Sequence, residues 1–365
     1  MVERWKNGNN KGKNGILEWN NETPEPLFSE LGDLMTLDLT RRQFIFRTIL
    51  GSLGALYGIS SPGCARQIPD AETFIGKVKD YHSDITSVIV AGLNELKVGG
   101  DQIKGKRILL KPNLVESHAG QAHITTHPMV IRGAVEALLE LGARQVIIGE
   151  GPGHSRDSMR VMEEVGLTDV LSEDRIPFVD LNYDDFYTVP NAGNHSPLKA
   201  ISLPVTLSEV DWIVSMPKMK THHLAGVTLS MKNLFGLLPG TVYGWPKNLL
   251  HFAGIDKCIL DINATVKPHL AIVDGIVGME GDGPIMGTPC FVGVIVMGRN
   301  LPAVDGTCVR IMGYDPHKVS YLRTASRILG PIHESKILQR GETIRSVMTK
   351  FKLEENIPAH KKLIS

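Results

Sequence analysis

The sequence predicts an α/β fold with a mostly parallel, Rossmann-like sheet and helices on both faces. Short apolar runs alternate with amphipathic stretches along the chain, which is the pattern of strands separated by covering helices. Several runs are near-continuous Val, Ile and Leu, as expected for strands buried on both faces. The predicted strands are residues 87–91, 107–111, 145–149, 178–181, 211–216, 270–274 and 291–297.

Helices are predicted between these strands. Thr126 can cap a helix that carries Pro128 in its first turn and stops at Gly142. Further helices are predicted over residues 156–165, 247–266, 302–312 and 316–329. The second of these four has an apolar face with spacings of three and four, made by Phe252, Ile255, Ile259, Ile262 and Val266.

Composition excludes some function classes. The chain has 365 residues, 42% hydrophobic and 21% charged, and Lys plus Arg equals Asp plus Glu at 39 each. This balance gives no sign of a nucleic-acid binder or of a polybasic membrane binder. A local basic cluster that binds an anion remains compatible with it.

Four segments are predicted. Residues 1–39 are polar, rich in Asn and Gly, and predicted to be a disordered extension, with Met35 as an alternative start. Residues 40–65 are a leader. Residues 66–330 form the α/β domain, either undivided or as two lobes with a boundary near residue 265. Residues 331–365 are predicted to be a polar tail, at the surface or disordered.

The leader resembles a twin-arginine signal. Arg41 and Arg42 precede an uncharged run, residues 48–61, that is too short for a comfortable membrane span. Small residues at positions 63–65 predict cleavage after Ala65. The protein is therefore expected to be exported to the periplasm or another extracytoplasmic compartment, with the twin-arginine translocase as partner and no transmembrane anchor after cleavage.

Two alternatives stay open for the leader. Cys64 follows Gly63 as in a lipoprotein signal, although Ser61 and Pro62 do not fit a lipobox. A lipid anchor at Cys64 is one alternative. A chance Arg-Arg pair before an amphipathic helix is the other.

The cysteines do not predict a cluster site. Cys64, Cys258, Cys290 and Cys308 form no C-x-x-C pair, so no iron–sulfur cluster or structural zinc is expected. The last three are predicted to be buried small hydrophobes, with a disulfide between two of them as the alternative.

Polar and glycine-rich segments recur just after the predicted strands. They are residues 111–113, 150–154, 217–223 and 274–284. Because ligands bind outside the carboxyl ends of strands in open α/β sheets, these segments are expected to converge on one rim. Read singly, each could be an ordinary turn or a solvated surface.

Residues 218–251 concentrate the reactive side chains. Lysines there supply positive charge or a nucleophilic amine, and histidines supply proton transfer or metal ligation. The predicted catalytic residues are His154, His222, Lys232 and His251. The predicted ligand- or cofactor-binding residues are Lys111, Lys218, Lys220, Asn233, Gly151 and Gly153.

Seven motifs resemble the family known as domain of unknown function 362 (DUF362), over residues 85–330. They are Lys111-Pro112-Asn113, Thr125-Thr126-His127-Pro128, Gly149-Glu150-Gly151-Pro152, Lys218-Met219-Lys220-Thr221-His222, Lys232-Asn233-Leu234-Phe235-Gly236, residues 274–281 and Ala303-Val304-Asp305. Some members carry ferredoxin-like cysteine motifs, which this chain lacks.

The order of motifs is also similar to that of the nickel-pincer lactate racemase group. The matching positions are Thr126-His127-Pro128, Gly153-His154-Ser155-Arg156, His222, Gly226, Lys232, Pro239-Gly240 and His251. The chain departs from that group where His127 replaces an Arg, where Ser155 interrupts His-Arg, and where Asn233 follows the Lys.

This resemblance implies a shared fold and site location, and a cofactor held covalently by Lys232. It also implies nickel or another transition metal held by His251. Without the resemblance, the alternative for Lys232 is a structural ion pair with Asp274 or Glu280. The cofactor itself is unknown.

Three functions are compatible with these residues. The first is an exported enzyme acting on a small anionic, hydroxy-acid-like molecule, with His154, His222 and His251 as acid, base or ligand groups. The second is a non-catalytic periplasmic ligand-binding or assembly protein. The third is a redox-associated protein without an iron–sulfur motif of its own.

Overall fold

One large mixed sheet organises the computed structural model, which describes residues 70–116, 120–153 and 157–365. The strands are β1 Ala71–Lys77, β2 Arg107–Pro112, β3 Gln145–Glu150, β4 Phe178–Asp180, β5 Phe186–Pro190, β6 Ala200–Pro204, β7 Trp212–Met216, β8 Lys218–His222, β9 Gly226–Thr228, β10 Leu270–Glu280, β11 Thr288–Gly298 and β12 Ile337–Gly341.

The helices are mostly short. They are α1 Ile85–Glu95, α2 Gly100–Ile103, α3 Pro128–Glu140, α4 Ser158–Glu164, α5 Leu167–Glu173, α6 Ser230–Asn233, α7 Gly240–Tyr243, α8 Asn248–Phe252, α9 Ile255–Val266, α10 Leu301–Ile311, α11 Ser320–Ala325, α12 Ile344–Val347 and α13 Pro358–Ile364. Within the described ranges, none has the length and apolar content needed to cross a bilayer.

The sheet is mostly parallel, as predicted. Its strand order is β12-β1-β11-β10-β7-β2-β3-β4, with β8 pairing β10 and β9 pairing β8, while β5 and β6 form a separate hairpin. The central pairs β10–β7, β7–β2, β2–β3 and β3–β4 are parallel. Only β11 and the short β9 run antiparallel to their neighbours in it.

Two apolar layers confirm helices on both faces. Alternate residues of a strand point to opposite faces, so Leu109 of β2 joins one layer while Ile108 and Leu110 join the other. The first layer includes buried residues of α9, α10 and α11, and the second includes those of α1, α3, α4 and α5.

The predicted strand at residues 87–91 is wrong, because this segment lies inside α1. Asp84 caps the helix by accepting a hydrogen bond from the Ser87 backbone N–H at 3.0 Å. Ile85, Ile89 and Leu93 then recur every four residues on the buried face. A short run of Val and Ile is typical of a strand, but here it lies within a capped amphipathic helix. The first described strand is β1.

The predicted helix at residues 247–266 is interrupted. Gly254, at φ 103°, separates α8 from α9, and Phe252, predicted on the apolar face, is 89% exposed. The predicted helix at 316–329 is reduced to a 3₁₀ turn and α11. The cap predicted at Thr126 is made by His127, whose Nδ1 accepts from the Met129 N–H.

The C-terminal segment is part of the fold and not a surface tail. Strand β12 pairs in parallel with β1, aligning Ala71 with Ile337. Beyond it, Phe351 and Leu363 are buried in the first apolar layer, and Phe351 lies against Gly278 of β10. Most side chains of residues 331–365 are polar, so the sequence pattern did not indicate that a few apolar residues among them are buried.

Replacing Phe351 with Ala should therefore destabilise the protein by about 3–5 kcal/mol, because it leaves a cavity in the core. Chemical denaturation of the purified chain measures this change. Phe252→Ala is the matched control and should stay within about 0.5 kcal/mol, because that ring is exposed. Equal effects of the two variants would contradict the assignment of residues 331–365 to the core.

Candidate functional site

A cavity of about 360 Å³ opens where β2, β3 and β8 end. This space, the lysine cavity, lies at the rim predicted from the strand-following loops. Its described lining includes eight of the predicted site residues: Lys111, Gly151, Gly153, Lys220, His222, Lys232, Asn233 and His251. His154 lies outside the described residues.

Lys218, predicted to bind ligand, does not line the cavity and is paired inside the sheet. Its Nζ lies 2.5 Å from Asp274 Oδ2 and 2.9 Å from the hydroxyl of Tyr81, and its side chain is fully buried. Asp274 is its register partner on the parallel strand β10. The ammonium is therefore neutralised inside the sheet, beside Tyr81, which stacks on His127.

Lys111 lines the cavity, yet its donors are all in use. Its Nζ donates to the Pro112 carbonyl at 2.8 Å, to Glu150 Oε2 at 2.7 Å and to Asn233 Oδ1 at 2.9 Å. An ammonium has three N–H donors, so none is left for a ligand. Lys111 and Asn233, predicted to bind ligand, are bonded to each other in the wall of the cavity.

Asp305 places the segment that carries Lys232. Its carboxylate accepts from the Ser230 N–H at 2.8 Å, the Ser230 hydroxyl at 2.5 Å and the Met231 N–H at 3.1 Å. These bonds fix the start of α6 against α10. Burial raises the pKa of Asp305 to about 7, so the hydrogen bonds offset only part of the desolvation of its charge.

Lys232 reaches the cavity from α6 as an unpaired cation. Its Nζ lies 5.1 Å from the centre of the Phe235 ring and, among the described residues, has no ion pair or hydrogen bond. Burial and then the nearby Lys111 lower its pKa to about 8. The alternative pairings are wrong, because Asp274 pairs with Lys218 and Glu280 with Lys352.

Lys220 projects from β8 and is fully buried. Its Nζ donates to the carbonyls of Ile124, at 2.8 Å, and Pro284, at 3.1 Å, and the described residues place no carboxylate within 4 Å of it. Burial, followed by repulsion from Lys232, lowers its pKa well below the usual value.

Lys247 is a site residue that the sequence reasoning missed. It lies between α7 and α8 with a left-handed backbone, φ 66°, and is 2% exposed. Its Nζ donates to Asn182 Oδ1 and, at 2.5 Å, to the Leu238 carbonyl. Burial lowers its pKa to about 7. Its position inside residues 218–251 was the only available signal.

Two of the three histidines in the described lining of the cavity, His222 and His251, present different nitrogens. His222 Nδ1 accepts from the backbone N–H groups of Leu224, at 3.0 Å, and Ala225, at 3.3 Å, so in the neutral ring Nε2 carries the proton. His251 Nδ1 lies 3.0 Å from the Lys247 carbonyl, so Nδ1 donates and Nε2 holds the lone pair. Burial lowers the pKa of His222 well below its usual value.

The donor set partly fits the expected cofactor. Lys232 offers an unpaired amine, and His251 Nε2 offers an imidazole lone pair, which suits a transition metal. Over residues 70–116, 120–153 and 157–365, however, no group of three or more His, Cys, Asp or Glu side chains could hold a metal ion. A metal bound here would need further ligands from the cofactor.

The cysteines take no part in the site. Cys258 and Cys308 are buried and Cys290 is half-buried, and all three are free thiols, so the alternative of a disulfide among them is wrong. Burial raises the pKa of each thiol, which keeps the thiols protonated and unreactive.

Fold and cavity together define an α/β protein with a lysine-lined cavity at the carboxyl edge of its parallel strands. The chain belongs to the DUF362 family, a domain of unknown function, whose model matches residues 108–310. It is 26% identical over 257 residues to a thylakoid-associated protein of Synechocystis, an alignment that covers 69% of this chain and 77% of that protein.

Two solved structures show a weak likeness. A protein from Thermotoga maritima is 16% identical, with a TM-score of 0.37 over 61% of this chain. The lactate racemase apoprotein of Thermoanaerobacterium thermosaccharolyticum is 13% identical, with a TM-score of 0.40 over 68% of this chain. The chain spans 58% of the length of each. Likenesses of this size do not bear on the chemistry of the cavity.

A covalent adduct on Lys232 remains a prediction. A pKa of about 8 leaves part of the amine unprotonated at neutral pH, which favours attack on a carbonyl or thioacid. Protein purified from its own host should then have an intact mass greater than that of the plain chain, with the added mass on the peptide that contains Lys232. Metal analysis should find a metal at stoichiometric level. Lys232→Arg, which keeps the charge, should show the plain mass. An unmodified natural chain without metal would exclude the cofactor.

Proposed function

We propose that the chain binds a small organic anion in the lysine cavity and acts on it as an enzyme. The supporting observation is that Lys220, Lys232 and Lys247 line one cavity while the described residues place no carboxylate within 4 Å of any of them. Lys220 and Lys247 are buried and Lys232 is half-buried, and burying a cation without a counter-ion is costly. A bound anion would offset that cost and reverse the downward shifts of the three lysine pKa values.

The histidines favour catalysis over simple binding. His222 offers an N–H donor at Nε2, and His251 offers a lone pair at Nε2. A base and a neutral hydrogen-bond donor on one cavity can remove a proton from a bound molecule and stabilise the negative charge that develops on it. A hydroxy acid suits this pair, since it has a carboxylate for the lysines and an exchangeable proton on its hydroxyl-bearing carbon.

A non-catalytic ligand-binding protein is the second candidate. The buried lysines favour it equally, since anion binding needs positive charge and donors but no proton transfer. The two candidates separate only at the histidines, because a binder makes no demand on their lone pairs or protons.

Lactate is a suitable first probe. Lys232→Met should weaken lactate binding about tenfold in isothermal titration calorimetry, because a charge-assisted contact is lost. Lys199→Met, which removes an equally charged but exposed side chain away from the cavity, should bind as the natural chain does. His222→Gln and His251→Gln should keep most of the affinity but abolish incorporation of solvent deuterium at the carbon next to the carboxylate.

The outcomes separate the candidates. Unchanged affinity in Lys232→Met would remove the anion site. Retained affinity with no deuterium incorporation in the natural chain, for lactate and for every other hydroxy acid that binds, would favour the binder.

We also propose that the protein is exported by the twin-arginine pathway. The supporting residues, Arg41 and Arg42, lie outside the described residues. The Synechocystis relative is thylakoid-associated, which is consistent with a place at a membrane-bounded compartment.

Replacing Arg41 and Arg42 with Lys should leave the precursor in the cytoplasm, because the translocase reads the guanidinium pair. Fractionation and immunoblotting of the natural host measure its location. Arg47→Lys, in the same leader but outside the pair, should be exported normally. Unchanged export of the double variant would show that the leader has been misread.

A further inference from the structure

The arrangement of donors in the lysine cavity indicates more than a single anionic contact. We propose that its ligand carries two acidic groups, one held by Lys220 and Lys232 and the other by Lys247. This inference rests on the proposed anion site and specifies the class of molecule that fills it.

Lys220 and Lys232 define the first anionic position. Lys220 uses two of its three N–H donors on the carbonyls of Ile124 and Pro284, and Lys232 uses none within the described residues. The two ammonium groups repel each other, and both act on His222. An acidic group placed here would gain donors from both lysines and from the Nε2–H of His222.

Lys247 defines the second position. It uses two donors, on Asn182 and on the Leu238 carbonyl, which leaves one donor for the contents of the cavity. The charged groups that act on it are Glu150, Lys111 and Asp180. Its partner Asn182 follows β4, whereas Lys220 is on β8, which pairs with β10 at the other end of the run β10-β7-β2-β3-β4, so Lys247 lies apart from the first position.

The Lys111–Glu150 ion pair lies between the two positions. Lys111 is on β2 and Glu150 is on β3, and the strand order places both strands between β10 and β4. All donors of Lys111 are bonded, and Glu150 accepts from Lys111, Leu114 N–H and Gly151 N–H. The middle of the cavity therefore holds an ion pair whose hydrogen bonds are satisfied. Among the described lysines of the lining, the unused donors lie on either side of it, on Lys220 and Lys232 at one end and on Lys247 at the other. One acidic group cannot satisfy both ends at once.

The test compares acids that differ by one carboxylate. Succinate, glutarate and adipate are titrated into the full chain beside butyrate, valerate and hexanoate, which have the same carbon counts. At least one diacid should bind about tenfold more tightly than its matched monoacid. Lys247→Met should lower the affinity for the diacid more than the affinity for its monoacid, and so remove this advantage. Lys199→Met serves as the charge-matched control and should keep the advantage.

A second measurement needs no variant and holds even if Lys247→Met does not fold. Lys247 loses its proton as pH rises through about 7, so at pH 8 most of it is neutral before binding. A second carboxylate there restores the proton against the opposing charge of Lys111 and beside Glu150 and Asp180. Calorimetry at pH 8 in buffers of different ionisation enthalpy should show the diacid taking up about one proton more than its monoacid.

The outcomes test the two-position ligand and the anion site separately. Diacids that bind no better than monoacids, or a Lys247→Met loss that is equal for both, would overturn the two-position ligand and leave the single anion site in place. Equal proton uptake by the two acids would do the same. Failure of every acid in both series to bind would overturn the anion site itself.

Discussion

The buried ion pair between Lys111 and Glu150 is the interaction on which the site depends. The two side chains are 1% and 2% exposed and join the ends of β2 and β3. Asn233 links α6 to this ion pair, because its side chain accepts a hydrogen bond from Lys111 Nζ and donates one to the Lys111 carbonyl at 3.0 Å. Removing one partner of such a pair leaves a bare buried charge, at a cost of about 3–5 kcal/mol. Gly236 is required beside it, since any Cβ there would collide with Glu150 and Lys111.

Around this pair, the buried lysines divide into two kinds. Lys111 and Lys218 have carboxylate partners and hold the sheet edge together. Lys220, Lys232 and Lys247 have none within the described residues and line the cavity. Protein interiors rarely keep a cation of the second kind unless something else satisfies it. The same residue type therefore holds the sheet edge together in one case and supplies the proposed anion site in the other.

The sequence predicted the sheet better than it predicted the roles of single residues. Runs such as the one in β2 are buried on both faces, so their composition alone indicates a central parallel strand. The convergence of loops followed from sheet topology, and the cavity confirmed it. Lys218 and Lys220 could not be told apart, because the difference between them is Asp274, which lies 56 residues from Lys218 along the chain. Lys247 was missed because its burial comes from Asn182 and Leu238, which no local pattern connects to it.

Strand β1 gives the chain an order of assembly. Its two neighbours in the sheet, β11 and β12, are made of residues 288–298 and 337–341. Strand β1, the first of the described strands to be synthesised, therefore has no partner until nearly the whole polypeptide has been made. Strand pairings across such long sequence separations form slowly. The proposed leader ends at Ala65, only six residues before Ala71. If the protein is exported after folding, the strand that follows the signal in sequence would thus be paired only when synthesis is complete and the sheet has formed.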